Sequence, residues 1–210
     1  MTTVEIAVER PDRRPLSLVV AAVVGVLFGA GDQYLGSLTP MVALGPWTVS
    51  VSQMSALWLL LPFVVGTTQD HPRRAMLAGL TASVAALVGY YLMTVSPMES
   101  VPLREAPHAL IALLPSNLLW IVGGLIGGPL FGLLGHRWRI ERWWPSAALV
   151  AGILVLEPLA RLGRDQLVGP SWVWGAEAAV GAVLAVGFVA AAGLRRRGAP
   201  AVPDSTTVAP

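Results

Sequence analysis

The sequence predicts an all-α polytopic membrane protein: a bundle of six transmembrane helices with both termini cytoplasmic. Three observations carry this. Hydrophobic residues make up 55% of the chain and charged residues 12%, where a soluble domain carries roughly 25% charged. Mean hydropathy is +0.67. The charges gather in short clusters between apolar runs, several of them near the ~20 residues that cross a bilayer.

Six runs qualify as spans. They cover about 16–35, 51–68, 74–95, 108–134, 145–162 and 172–194, with the fifth the shortest. Residues 1–15 read as a cytoplasmic tail and 195–210, rich in Ala, Pro, Val and Thr, as a disordered one. The first fifteen residues mix Glu5, Glu9 and Asp12 with Arg10, Arg13 and Arg14, and the apolar stretch after them lacks a small-x-small cleavage site. They therefore read as an anchor flank rather than a cleavable signal peptide.

Orientation follows from arginine, the only basic residue type apart from histidine. Arg10, Arg13, Arg14, Arg73, Arg74, Arg137, Arg139, Arg142 and Arg195 to Arg197 fall on one side of a six-span frame. Arg104, Arg161 and Arg164 fall on the other. Cytoplasmic loops hold the excess of positive charge, so both termini face the cytoplasm and the span number is even. Trp47, Trp138, Trp143, Trp144, Trp172 and Trp174 then take interfacial positions.

Between apolar helices, association comes from close packing of small residues. Ala21, Gly25 and Gly29 in span one are spaced for such a face. So are Gly124, Gly128 and Gly132 in span four, and Gly181 and Ala185 in span six. These faces serve packing within the chain or docking of another membrane subunit. Pro62, Pro115, Pro129 and Pro158 lie inside spans, and each frees the carbonyl four residues earlier.

The polar residues collect toward one side. By a rise of 1.5 Å per residue, Asp32 lies about 24 Å up span one and Glu157 about 18 Å up span five. Glu177 lies about 7 Å down span six from its outer end. Gln53, Tyr90 and Asn117 fall in the same outer half, while Thr81 and Ser83 are the main polar residues of the inner half. A charge deep in a bilayer costs about 2.5–3.5 kcal/mol on insertion scales, so these carboxylates need partners, protons or water. Arg161 follows Glu157 at the favourable i,i+4 spacing and forms the expected salt bridge. Two readings stand side by side: helix-end caps and ion pairs, or an outward-facing pocket for a small molecule lined by Asp32, Gln53, Tyr90, Asn117, Glu157 and Glu177.

Much chemistry is excluded. The chain has no Cys and no Lys, which removes thiolate sites, Schiff bases and a P-loop lysine. His71, His108 and His136 fall in different loops, so no metal site and no cofactor is expected. No G-x-S-x-G, H-E-x-x-H or Walker pattern occurs, so the chain reads as a non-enzyme, with an intramembrane enzyme as the remaining alternative. Its basic balance reflects topology, so nucleic acid is not expected as a partner. The expected partner is the lipid bilayer. Arginine without lysine, with abundant Ala, Val, Gly and Pro, reads as GC-rich bacterial coding, which places the chain in a bacterial plasma membrane.

Residues 16–194 resemble a family of small actinobacterial six-span membrane proteins of unknown function. The resemblance rests on GVLFGAGDQYLGSL, SALWLLLPFVVG, LVGYYLM, GGLIGGPLFGLLG, GILVLEPL and VWGAEAAVGAVL. It implies no activity. The length, six spans and Ala21-Gly25-Gly29 spacing are also similar to the substrate-capture subunits of energy-coupling-factor vitamin importers. That similarity implies a ligand pocket on the outside and a separate ATPase module as partner. The functional expectation is a small-molecule-binding or transport-associated membrane protein, with a non-catalytic scaffold or accessory subunit as the alternative.

Overall fold

The computed structural model describes residues 14–198, and among these it is helical with no strand. Five helices are long and apolar enough to cross a membrane. They are α1 (Arg14–Gly36), α5 (Pro72–Thr94), α7 (Leu118–Ile140), α8 (Trp144–Leu162) and α9 (Ser171–Gly198). Four shorter α-helices, α2 (Leu38–Leu44), α3 (Trp47–Ser52), α4 (Ser55–Thr67) and α6 (Ala106–Ser116), and a 3-10 turn at Pro97–Glu99 join them. The tail expected at 1–15 lies outside the described residues apart from the start of α1. Of the tail expected at 195–210, α9 takes in the first four residues and the rest lies outside them.

Two expected spans differ in form. The run 51–68 does not make one helix. It breaks at Gln53–Met54 into α3 and α4, and α4 has 13 residues. That is about 20 Å of helix against a hydrocarbon core of ~30 Å. The run 108–134 breaks at Asn117 into α6 and α7, and α7 continues to Ile140. His136 is therefore a buried helix residue rather than a loop residue, its Nδ1 2.9 Å from the Gln69 carbonyl oxygen. The fifth run, read as the shortest, forms a full 19-residue helix.

Small residues set the packing. A Cβ on Gly25 would strike Ala82 and Ala85, and one on Gly29 would strike the Ala86 carbonyl, so α1 lies parallel to α5 and almost touching it. Gly132 meets Ala75 and Gly79, while Gly128 meets Ser83, which makes α7 antiparallel to α5. Gly127 meets Leu59, Gly66 meets Gly132 and Arg139 reaches the Thr67 carbonyl, so α4 runs alongside α7 in the same direction. Gly181 meets Ala151, Leu154 and Val155 of α8. Ala21 is buried, Gly124 faces Leu87, and Ala185 is half-buried. Close backbone approach is the geometry expected where no hydrophobic gradient drives helices together.

Trp174 departs from its interfacial expectation. It is among the largest fully buried side chains and packs with Met54 and Val173. Trp138 lies edge-on to Phe188 at 4.6 Å, whereas Trp172 is exposed.

Candidate functional site

The polar groups organise around α4. A 13-residue helix whose first turn begins inside the bundle leaves backbone N–H groups without partners. Its own N-cap, Met54, offers no side-chain acceptor. The acceptor comes from α8: Glu157 takes the Ser55 amide on Oε1 at 2.9 Å and the Ala56 amide on Oε2 at 2.7 Å. A carboxylate at a helix N-terminus also complements the macrodipole. At the opposite end, Arg139 of α7 donates to the Thr67 carbonyl at 2.8 Å and to Asp70 at 3.0 Å. The short helix is thus closed at its N-terminus by an anion and at its C-terminus by a cation, each from another helix.

Arg161 completes the first of these clusters. Its Nε and Nη2 each lie 3.0 Å from Glu157 Oε1. Nη2 also donates to the Gln53 carbonyl at 2.6 Å, and the guanidinium lies over the Trp174 ring at 5.0 Å. Trp174 Nε1 donates to the Val168 carbonyl at 3.0 Å, which also accepts from Ser50 Oγ at 2.7 Å. One network therefore ties α3, α4, α8, α9 and the α8–α9 connection together.

Asp32 sits at a second cluster, reached from α4 by Trp58. It is buried, and Trp58 Nε1 donates to its Oδ2 at 3.2 Å. Trp58 is itself packed in a chain of aromatic rings. Phe28 meets Trp58 at 5.5 Å, Trp58 meets Tyr90 at 5.8 Å, and Tyr90 meets Tyr91 at 5.5 Å, all edge to face. No ion pair reaches Asp32 among the described residues.

The six expected lining residues do not form one group. Asp32 and Tyr90 belong to the aromatic cluster. Glu157 is taken up by the cap, and Glu177 is buried on α9 near it. Gln53 is exposed and contributes its backbone carbonyl to Arg161. Asn117 stands at the α6–α7 junction, where Nδ2 donates to the Leu113 carbonyl at 2.9 Å. A groove of about 420 Å³ runs along Val26, Leu80, Thr81, Val84, Ala85 and Val88, and none of the six lines it. No grouping of three or more His, Asp or Glu residues suited to a metal ion occurs among the described residues.

Sequence reading missed Trp58 as a polar partner. The available signal was a lone indole mid-run, with its N–H needing an acceptor and Asp32 as the acid without a local partner. It also missed His136 with Gln69.

The model of a family of unknown function, DUF6518, matches residues 9–209. The chain belongs to this family. No curated protein and no solved structure matches it. DUF6518 membership carries no activity with it, so function has to come from the clusters around α4.

Proposed function

We propose that this DUF6518 protein crosses a bacterial plasma membrane six times and binds a small molecule, in a transport-associated role, at the aromatic cluster around Asp32. The carrying observation is the buried Asp32 carboxylate, which among the described residues accepts a hydrogen bond from Trp58 and has no ion-pair partner. Rings around an unpaired acid favour a ligand that brings a hydrogen-bond donor or a positive charge. Tyr90 is half-buried and is the ring whose rotation would admit the ligand.

The sixth crossing in this reading is α4. Since α1 and α5 are parallel, the chain has to return between them, and α4 is the helix available. The arginine-rich side is then cytoplasmic. Short helices α2 and α3 occupy the depth that α4 leaves uncovered; irregular backbone at that depth is tolerated when buried in protein.

The test is mass spectrometry of small molecules co-purifying with the full chain in mild detergent, wild type beside Asp32→Asn. A molecule enriched with wild type and absent from the variant supports the reading. Equal recovery from both proteins of equal yield overturns it.

A second reading, an accessory or scaffold subunit, draws on α6. This helix buries none of its residues, and Ile111, Leu119 and Trp120 stay exposed along α6 and the start of α7. The glycine faces support it less, since α1 and α7 spend theirs on α5 and α4.

A further inference from the structure

Glu177 is a buried carboxylate that neither cluster uses. It lies in the second turn of α9 and is 6% exposed. Neither of its side-chain oxygens has a hydrogen-bond partner among the described residues. Arg161 is within electrostatic range, as is Glu157, but its guanidinium is already engaged by Glu157, the Gln53 carbonyl and the Trp174 face.

The facing turn of α8 is unusual too. Arg161 lies over Trp174, and Leu154 lies against Gly181. The two helices are therefore antiparallel, with the Pro158 turn level with Glu177. Proline lacks an N–H, so Pro158 leaves the Leu154 carbonyl without its helical donor. Leu154 is itself buried. Two unpartnered carboxylate oxygens and a freed carbonyl thus share one level of an apolar interface. An uncompensated carboxylate there is costly. Backbone carbonyls that lack their helical donor are among the ligands with which membrane proteins hold small monovalent cations.

We propose that Glu177 anchors an alkali cation between α8 and α9, with the Leu154 carbonyl as a second oxygen ligand. The Glu157–Arg161 pair is neutral by itself, so one monovalent cation on Glu177 balances the local charge. The site lies about 9 Å below the start of α9 by helical rise. An ion reaches it past the short α8–α9 connection, whose residues 164–166 are exposed. The proposal is independent of ligand binding at Asp32.

The test is equilibrium binding of radioactive sodium and of radioactive rubidium to the purified full chain in detergent. The pH is fixed, and choline chloride holds ionic strength constant. The expected result is saturable binding of one of the two ions by wild type, weakened by about tenfold or more in Glu177→Gln. Asp32→Asn should keep it. Absence of saturable binding by folded wild type overturns the proposal whatever the variants do. So does equal binding by Glu177→Gln, or a Glu177-dependent proton uptake without alkali binding. Glu177→Asp, which keeps the charge, should retain weaker binding if the glutamine variant does not fold.

Discussion

Glu157 of α8 closes the first turn of α4 by accepting the Ser55 amide at 2.9 Å, while Arg161 holds the same oxygen at 3.0 Å. One carboxylate thereby meets the needs of a helix end and of a guanidinium. Removing it strands both. Glu157→Ala should destabilise the protein by up to about 3–5 kcal/mol, the range for breaking a buried pair from one side, since the pair is largely shielded from solvent. Glu157→Gln keeps one acceptor oxygen and should fall between wild type and the alanine variant. Thermal unfolding in one detergent, monitored by helical signal, would check the order; equal midpoints for wild type and Glu157→Ala would remove the cap from the account.

Trp58 is the hydrogen-bond donor to Asp32, at 3.2 Å. Phenylalanine at 58 keeps a ring against Phe28 and Tyr90 but has no N–H to give. Trp58→Phe should therefore cost about 1–3 kcal/mol, the penalty for leaving a buried polar group unsatisfied. Asp32→Asn still offers an oxygen to the indole and should cost less. If both variants unfold at the wild-type midpoint, the bond contributes nothing measurable.

The helix contacts predict a sharp contrast among glycines. A side chain at Gly29 would land on the Ala86 carbonyl, and one at Gly132 on the Ala75 carbonyl, while Gly123 has open space beside it. Gly29→Val and Gly132→Val should each lose about 1–3 kcal/mol or more, since backbone cannot yield as a side-chain tip can. Gly123→Ala should stay within about 0.5 kcal/mol of wild type. Unfolding midpoints of the three variants decide it, and a Gly123 change as costly as the other two would refute the packing.

Helix existence was legible in the sequence because a bilayer demands long apolar runs, and α1, α5, α8 and α9 begin within two residues of the runs that announce them. The breaks were not. Hydropathy averaged over a span length passes over the kink at Gln53, set in the polar stretch Ser52-Gln53-Met54-Ser55, and the one at Asn117, which follows Pro115-Ser116, since the runs on either side are apolar. A capped 13-residue helix looks the same in composition as a full crossing. The Glu157–Arg161 pair was legible because it is local, four residues apart on one helix. Its link to Ser55 spans about a hundred residues, and no periodicity records which amide a carboxylate will meet. Trp174 misled for a related reason: a tryptophan at a span end is equally suited to the lipid interface and to the floor beneath an arginine.

The parallel lie of α1 and α5 gives the topology a decisive experiment. The chain contains no cysteine, so single cysteines can be introduced without background. With α4 as a true crossing, Thr3→Cys, His71→Cys and Glu141→Cys share one side of the membrane, and Leu103→Cys and Gln166→Cys share the other. If α4 only dips in and returns, Thr3→Cys instead sides with Leu103→Cys and Gln166→Cys. A membrane-impermeant maleimide applied to intact cells should therefore label positions 103 and 166 and spare 3, 71 and 141 until the membrane is opened. Labelling of position 71 without that opening would mean that α4 does not cross. The arginine-rich ends of α5 and α7 would then face outward, against the charge rule that places them inside.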